Sequence, residues 1–235
     1  MSNAGKLYLI PSIIAAESQD SIPEATTSII KSLDYFLVEN VRSARRYISS
    51  LKLSITIEDL QFEVYDKKTS FEDIINLLLP IQNGKNGGVI SEAGCPGIAD
   101  PGSLAVSAAH QFGIQVVPLV GPSSIFMALM ASGFSGQSFA FHGYLPIDKS
   151  DRIKKIKEIE RHAIKSEQTQ IFMETPYRND QLLEALIKTC NTRTRLCVAA
   201  NLNSTNEMIK NLSIQKWKNE KTSYNKIPVI FLLGT

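Results

Sequence analysis

The sequence is poor in cysteine, histidine and tryptophan, and it contains no long hydrophobic run. Its three cysteines, Cys95, Cys190 and Cys197, form no CxxC pair and are too few for a disulfide framework, so a reducing, cytoplasmic setting is expected. The longest apolar stretches, 125–131 and 227–233, fall far short of the ~20 residues of a membrane span, so no membrane partner is expected. The first residues lack the basic segment and apolar region of a signal peptide, and Ser2 to Ala4 read as a scar of recombinant expression. HExxH, P-loop and paired-cysteine patterns are all missing, which leaves metal-dependent hydrolysis and nucleoside triphosphatase chemistry without support; no metal site is expected.

What the chain does have is a 43% hydrophobic content over 235 residues, enough for one large or two ordinary domains. The net charge of +2 is unevenly spread. Residues 1–148 hold 9 Lys/Arg against 14 Asp/Glu, giving −5, and residues 149–235 hold 16 against 9, giving +7. The basic half could meet a polyanion, although the group Lys154, Lys155 and Lys157 reads first as an ordinary solvated helix face.

Short apolar runs alternate with segments of helical periodicity, the pattern of an α/β fold with a largely parallel sheet. Strands are expected at 6–10, 35–38, 88–91, 115–118, 170–173, 195–200 and 227–233. Helices are expected at 23–33, 41–50, 69–79, 101–112, 123–131, 151–165 and 177–190. Two prolines and a glycine at 118–122 suggest a joint near Gly121, dividing an N-terminal α/β domain (5–120) from a basic C-terminal one (121–235). Residues 133–146 read as an irregular surface loop.

The most unusual segment, SEAGCPGIADPG at 91–102, follows a predicted strand and packs three glycines, two prolines and two carboxylates into twelve positions. Glycine allows close approach of backbone to a ligand, and open α/β sheets bind ligands at the C-terminal ends of their strands. The same segment also reads as a tight strand-to-helix turn in which Asp100 caps a helix beginning at Pro101. A second segment, VGPSS at 120–124, offers hydroxyls and free N–H groups at a helix start, suited to a carboxylate or ribose; it also reads as a linker with a cap.

Together, in this order and spacing, these segments resemble the SDAGTPxxSDPG and VxPxPGPSA signatures of the tetrapyrrole methylase superfamily, on the branch of bacterial 16S ribosomal RNA cytidine 2′-O-ribose methyltransferases. FAFHGYLP at 139–146 resembles FxFxGFLP, IFMETPYR at 171–178 resembles FYExPHR, and VENVR at 38–42 resembles AEDTR. The resemblance implies two α/β domains with S-adenosyl-L-methionine folded in the cleft between them, a homodimer, and ribosomal RNA or the small ribosomal subunit as substrate. It places Gly94, with Ser91, along the cofactor and Ile98 near it. Ser123 and Ser124 fall at the methionine end and Met173 against the adenosine, and Pro11, Ala200 and Pro228 contribute from strand ends.

The sequence also departs from the family. The P-x-x-x-G-N-L-x-D-I-T that follows the first strand is here Pro11-Ser12-Ile13-Ile14-Ala15-Ala16-Glu17, and ARELTK is here Ala199-Ala200-Asn201-Leu202-Asn203-Ser204. Asn40 stands for an aspartate and Tyr177 for a histidine. Glu92, Glu39, Glu174 and Asp100 are candidate bases for deprotonating a hydroxyl; each also reads as a cap or ion-pair member, and for Glu39 and Glu174 that reading comes first. His142 reads as a loop histidine with one hydrogen bond, His110 and His162 as exposed helix residues, and Cys95 as a small residue rather than a nucleophile. A methyltransferase acting on a tetrapyrrole or another small molecule, and a cofactor-binding homologue with reduced or no catalysis, stay open as alternatives.

Overall fold

The computed structural model describes residues 4–235; Ser2 and Asn3 lie outside them. The chain divides into two compact units, Met1–Ser123 and Ser124–Thr235.

In the first unit the central strands β2 and β4 are short uncharged runs buried on both faces, as the interior of a parallel sheet requires, and the edge strands β3 and β5 are half-exposed. The order is β1 (Lys6–Ile10), α1 (Glu24–Lys31), β2 (Tyr35–Val38), α2 (Val41–Ser50), β3 (Gln61–Val64), α3 (Phe71–Gln82), β4 (Gly87–Ile90), α4 (Ser103–Gln111) and β5 (Gln115–Pro118). The sheet runs β3-β2-β4-β1-β5, all parallel. The chain moves from β1 outward to β2 and β3, returns to β4 beside β1, then leaves in the other direction for β5. Right-handed crossovers therefore place helices on opposite faces. Accordingly α1 and α2 pack through Ile30, Ala44 and Ile48 with Phe36 and Ile10, while α3 and α4 pack through Ile74, Leu78 and Ala108 with Leu7, Leu37 and Val89. The reversal puts a crevice at the C-terminal ends of β1 and β4, where open α/β sheets bind their ligands.

The second unit contains α5 (Ser124–Ser132), β6 (Phe139–Tyr144), α6 (Lys149–Ser166), β7 (Thr169–Met173), α7 (Asn179–Thr189), β8 (Arg195–Ala200), β9 (Met208–Ser213), α8 (Ile214–Trp217) and β10 (Val229–Gly234). Its sheet runs β6-β7-β10-β8-β9. Only β6 and β7 pair in parallel; the other three pairings are antiparallel. The expectation of largely parallel pairing thus describes the first unit and not the second: β8 and β9 are joined by a loop too short for the crossover that parallel neighbours need, and β10 enters between β7 and β8 from the opposite end. Trp217, Tyr224, Phe172 and Phe231 centre the core of this unit, and the indole Nε1 of Trp217 donates to the Leu196 carbonyl at 2.8 Å.

Three strands escape the sequence reading. β3 and β9 are half-exposed edge strands with weak alternation, and β6 lies within the stretch read as a loop. Gly143, at φ +63°, interrupts the β6 register between Phe141 and Tyr144, and this hides the strand in the sequence. Conversely, α3 continues through Pro80 to Gln82, past its expected end, because fully buried Ile81 anchors the last turn. No helix among the described residues is long and apolar enough to cross a membrane.

Candidate functional site

The crevice between β1 and β4 is tied together by its own loops. Ser12 and Gly94 exchange backbone hydrogen bonds, Ser12 N–H to Gly94 O at 2.9 Å and Gly94 N–H to Ser12 O at 3.2 Å. The Ser12 hydroxyl donates to the Ser91 carbonyl at 2.9 Å, and the Ser91 hydroxyl to the Gly94 carbonyl at 3.0 Å. Tyr47 reaches from α2 to donate its hydroxyl to the Pro11 carbonyl at 2.7 Å. Gly121 closes the group, since a Cβ there would stand 2.2 Å from Pro11 Cγ. The first unit therefore assembles Pro11, Ser91 and Gly94 at one strand edge, with the 120–123 segment beside it. Ser91 is buried and its hydroxyl is engaged within the loop.

The glycine-rich loop depends on conformations closed to other side chains. Gly94, Gly97 and Gly102 have φ of +71°, +79° and +153°. Tyr65, just beyond β3, holds the far end: its hydroxyl oxygen accepts from Gly102 N–H at 3.1 Å and Ala105 N–H at 3.2 Å. Asp100 does not cap the following helix, which begins at Ser103 with Gly102 as an N-cap that offers no side chain. The capping account of the loop's carboxylate is thereby removed. Among the described residues the backbone N–H groups of Ala93 and Cys95 find no protein acceptor, and Ile98 stands 42% exposed at the tip. Free donors beside an exposed apolar side chain suit a ligand that is part polar and part aromatic. The Cys95 thiol points to the Pro122 carbonyl at 3.5 Å, and burial raises its pKa, which disfavours a thiolate.

Three carboxylates flank this edge. Glu39, directly after β2, lines a small hollow of about 20 Å³ with Ser43, Tyr47, Ser91 and Glu92. Its Oε1 is buried without a partner. Burial first, then the negative charges of Asp100 and Glu92, raise its pKa, against a lowering influence from Lys67. Asp100 is likewise raised, by burial and by Glu92, with Lys67 opposing. A carboxylate raised in this way is a stronger base once ionised, which suits proton abstraction. Glu174, the fourth candidate, is committed elsewhere: its Oε1 accepts from Arg178 Nη2 at 2.6 Å and from Thr175 N–H at 2.7 Å.

In the second unit, Met173 ends β7, Ala200 ends β8 and Pro228 precedes β10. Antiparallel pairing of β10 with both neighbours brings all three to one edge, with Ile230 opposite Met173 and Val229 opposite Ala200. Asn201 N–H donates to the Pro228 carbonyl at 3.0 Å. Ala200 is fully buried and offers that edge only its backbone; Pro228 is exposed. Ser124 opens α5, which carries no charged side chain. His142 is not a loop residue but lies on β6, with Nε2 2.7 Å from Gln170 Oε1. His110 and His162 are exposed on α4 and α6.

The departures noted in the sequence have structural reasons. Asn40 caps α2, its Oδ1 accepting from Arg42 N–H at 2.9 Å and Ser43 N–H at 3.1 Å, a role that aspartate fills equally well. Asn40→Ala is expected to lower unfolding stability by about 1 kcal/mol, read from the urea midpoint, whereas Asn40→Asp should leave it within about 0.5 kcal/mol. Asn201 and Asn203 adopt φ of +50° and +64°, which asparagine tolerates better than other non-glycine residues. Ser12, Tyr47 and Tyr65 escape sequence reasoning, since each acts through a contact at least 36 residues away.

No family model matches the chain. It is 27% identical over 230 residues to ribosomal RNA small subunit methyltransferase I of Vibrio cholerae, covering 97% of this chain and 76% of that one. It is 32% identical over 193 residues to the Bacillus subtilis protein of the same name, covering 82% and 62%. Its fold is similar to that of uroporphyrin-III C-methyl transferase from Thermus thermophilus, complexed with S-adenyl homocysteine; the TM-score is 0.61 at 14% identity, over 98% of this chain and 97% of the other. The chain thus has relatives along nearly its whole length that are named as small-subunit ribosomal RNA methyltransferases, and it shares throughout the fold of tetrapyrrole methyltransferases of known structure.

Proposed function

We propose that this protein is a methyltransferase that uses S-adenosyl-L-methionine to methylate a ribose 2′-hydroxyl in small-subunit ribosomal RNA. The observation that carries the reading is the relatedness, over 97% of the chain, to a protein named for methylation of that RNA. The glycine-rich loop fits the cofactor: its free Ala93 and Cys95 N–H groups suit a polar portion and exposed Ile98 an aromatic one. In this reading Pro11, Ser91, Gly94, Ile98 and Ser123 contribute from the first unit, and Ser124, Met173, Ala200 and Pro228 from the second.

When bound, S-adenosyl-L-methionine supplies an electrophilic methyl group on a sulfonium, and the displacement requires alignment rather than a metal or covalent intermediate. The protein's part is to hold the acceptor hydroxyl in line and to take its proton. Glu39 is the base we assign, with Asp100 and Glu92 maintaining its basicity. Assembly as a homodimer in the cytoplasm, where ribosomal subunits are found, completes the reading.

Transfer of labelled methyl groups to naked small-subunit RNA, to small ribosomal subunits and to uroporphyrin-III tests it. Incorporation at a ribose of the RNA is the expected result. Incorporation only into the tetrapyrrole would replace the substrate. A second reading, a cofactor-binding homologue without catalysis, draws on the absence of the family's Arg, Glu and Lys after β8, where Asn201, Asn203 and Ser204 stand. Cofactor binding by calorimetry with no transfer to any acceptor would favour it.

A further inference from the structure

The charge of α6 is arranged rather than scattered. The helix holds seven Lys/Arg against three Asp/Glu, a surplus of four that exceeds the net charge of the whole chain. Its buried residues, Ile156, Ile159 and Ala163, face the core of the second unit. At about 100° per residue, Lys154, Lys157, Arg161 and Lys165 fall in one stripe on the opposite side, and all four are exposed.

Of this stripe the acidic residues of the helix neutralise only Lys154. Asp151 pairs with Lys154 at 3.0 Å, and Glu158 pairs with Lys155, off the stripe, at 2.8 Å. Glu160 accepts from Asn191 N–H at 2.6 Å and the Thr194 hydroxyl at 2.5 Å. Among the described residues, Lys157, Arg161 and Lys165 join no ion pair. They stand four residues apart in succession, a spacing at which like charges destabilise a helix. A face that only needed solvation would alternate its signs. Arg161, His162, Lys165 and Ser166 also line an open hollow of about 250 Å³ at the end of the stripe, which sets cationic and hydroxyl donors of the kind that bind phosphate around one space.

We propose that the Lys157–Arg161–Lys165 face of α6 is an RNA-docking surface that binds the phosphate backbone of the substrate. This rests on the ribosomal RNA reading of the function and assigns it a surface. Contacts of this kind position an RNA without reading its bases, so they set affinity and salt dependence rather than the nucleotide modified.

The test is binding of the full-length protein to small-subunit ribosomal RNA across a salt series, comparing wild type with the triple variant Lys157→Ala/Arg161→Ala/Lys165→Ala. The variant should lose at least about tenfold in affinity near 0.1 M salt, and its log–log salt slope should become shallower by about 2. Its melting temperature should equal or exceed that of wild type, because a repulsive row is removed. A control, Lys216→Ala/Lys218→Ala/Lys221→Ala, removes the same charge from exposed positions elsewhere in the unit and should keep the wild-type slope. Unchanged binding by the α6 variant, an equal loss in the control, or no RNA binding by the wild type would each overturn the proposal. Wild-type binding with the predicted slope but no methyl transfer to RNA would leave the docking surface standing and sink the substrate assignment instead.

Discussion

Replacing Glu39 with glutamine is expected to slow methyl transfer by a factor of about 10²–10⁴, the usual contribution of a positioned base, while leaving cofactor affinity within a factor of about two. Glutamine keeps the shape of the side chain and removes only its capacity to take a proton. Glu39 is singled out by its place rather than its type. It follows β2 at the edge that also carries the glycine-rich loop, and one of its oxygens is buried with no partner. Glu174 also has one buried oxygen without a partner, Oε2, but its Oε1 is held by the Arg178 guanidinium and the Thr175 N–H, and this ion pair sets it apart from Glu39.

The pH dependence supplies a second readout. Burial, reinforced by Asp100 and Glu92, raises the Glu39 pKa, so the wild-type rate should climb with pH through that raised value, and the glutamine variant should lack this limb. Stability responds in the opposite sense. The folded protein holds more protons than the unfolded chain between the ordinary carboxylate pKa and the raised one, so stability is full below that window and falls as pH rises through it. The Glu39→Gln variant should show a weaker fall in urea titrations. A variant with wild-type kcat and an unaltered profile would remove Glu39 from the mechanism and leave Asp100→Asn as the next substitution to measure.

Gly102→Ala is expected to weaken S-adenosyl-L-methionine binding by about 100-fold or more, which is about 2.7 kcal/mol. A Cβ at Gly102 would lie 2.5 Å from the Gly97 nitrogen, 2.8 Å from its Cα and 3.1 Å from the Pro96 carbonyl carbon. All three are backbone atoms of the loop itself, so no side chain can rotate away to make room. Relief requires the loop to open, and opening it breaks the Gly102 N–H bond to Tyr65 and the Gly97 N–H bond to the Pro101 carbonyl. Gly113→Ala is the matched comparison. It too has positive φ, +67°, but a Cβ there meets nothing within 4 Å, so it should cost about 1–2 kcal/mol of stability and leave calorimetric affinity unchanged. If both alanine variants bind as wild type does, the loop is not the cofactor cradle. If both lose affinity equally, the effect is one of general stability.

The local sequence marked the interior strands and the longer helices, because continuous apolar runs and period-3.6 patterns record burial directly; the four-residue α8 went unread. It also marked both unusual loops, since glycines at positive φ and prolines at turns leave compositional traces. The half-exposed strands β3, β6 and β9 left no such trace, and neither did the antiparallel pairing of the second sheet, which depends on where the chain returns. Only tertiary structure joined Ser12 to Gly94 and Tyr65 to Gly102, brought the charge of Asp100 to bear on Glu39, and withdrew Glu174 from the candidate bases. The same is true of α6, where the sequence displayed the lysines but not which acids were already engaged. Each of these turned on a contact distant in sequence, where periodicity carries no information, and on the burial that gives a carboxylate or an unpaired cation its chemical meaning.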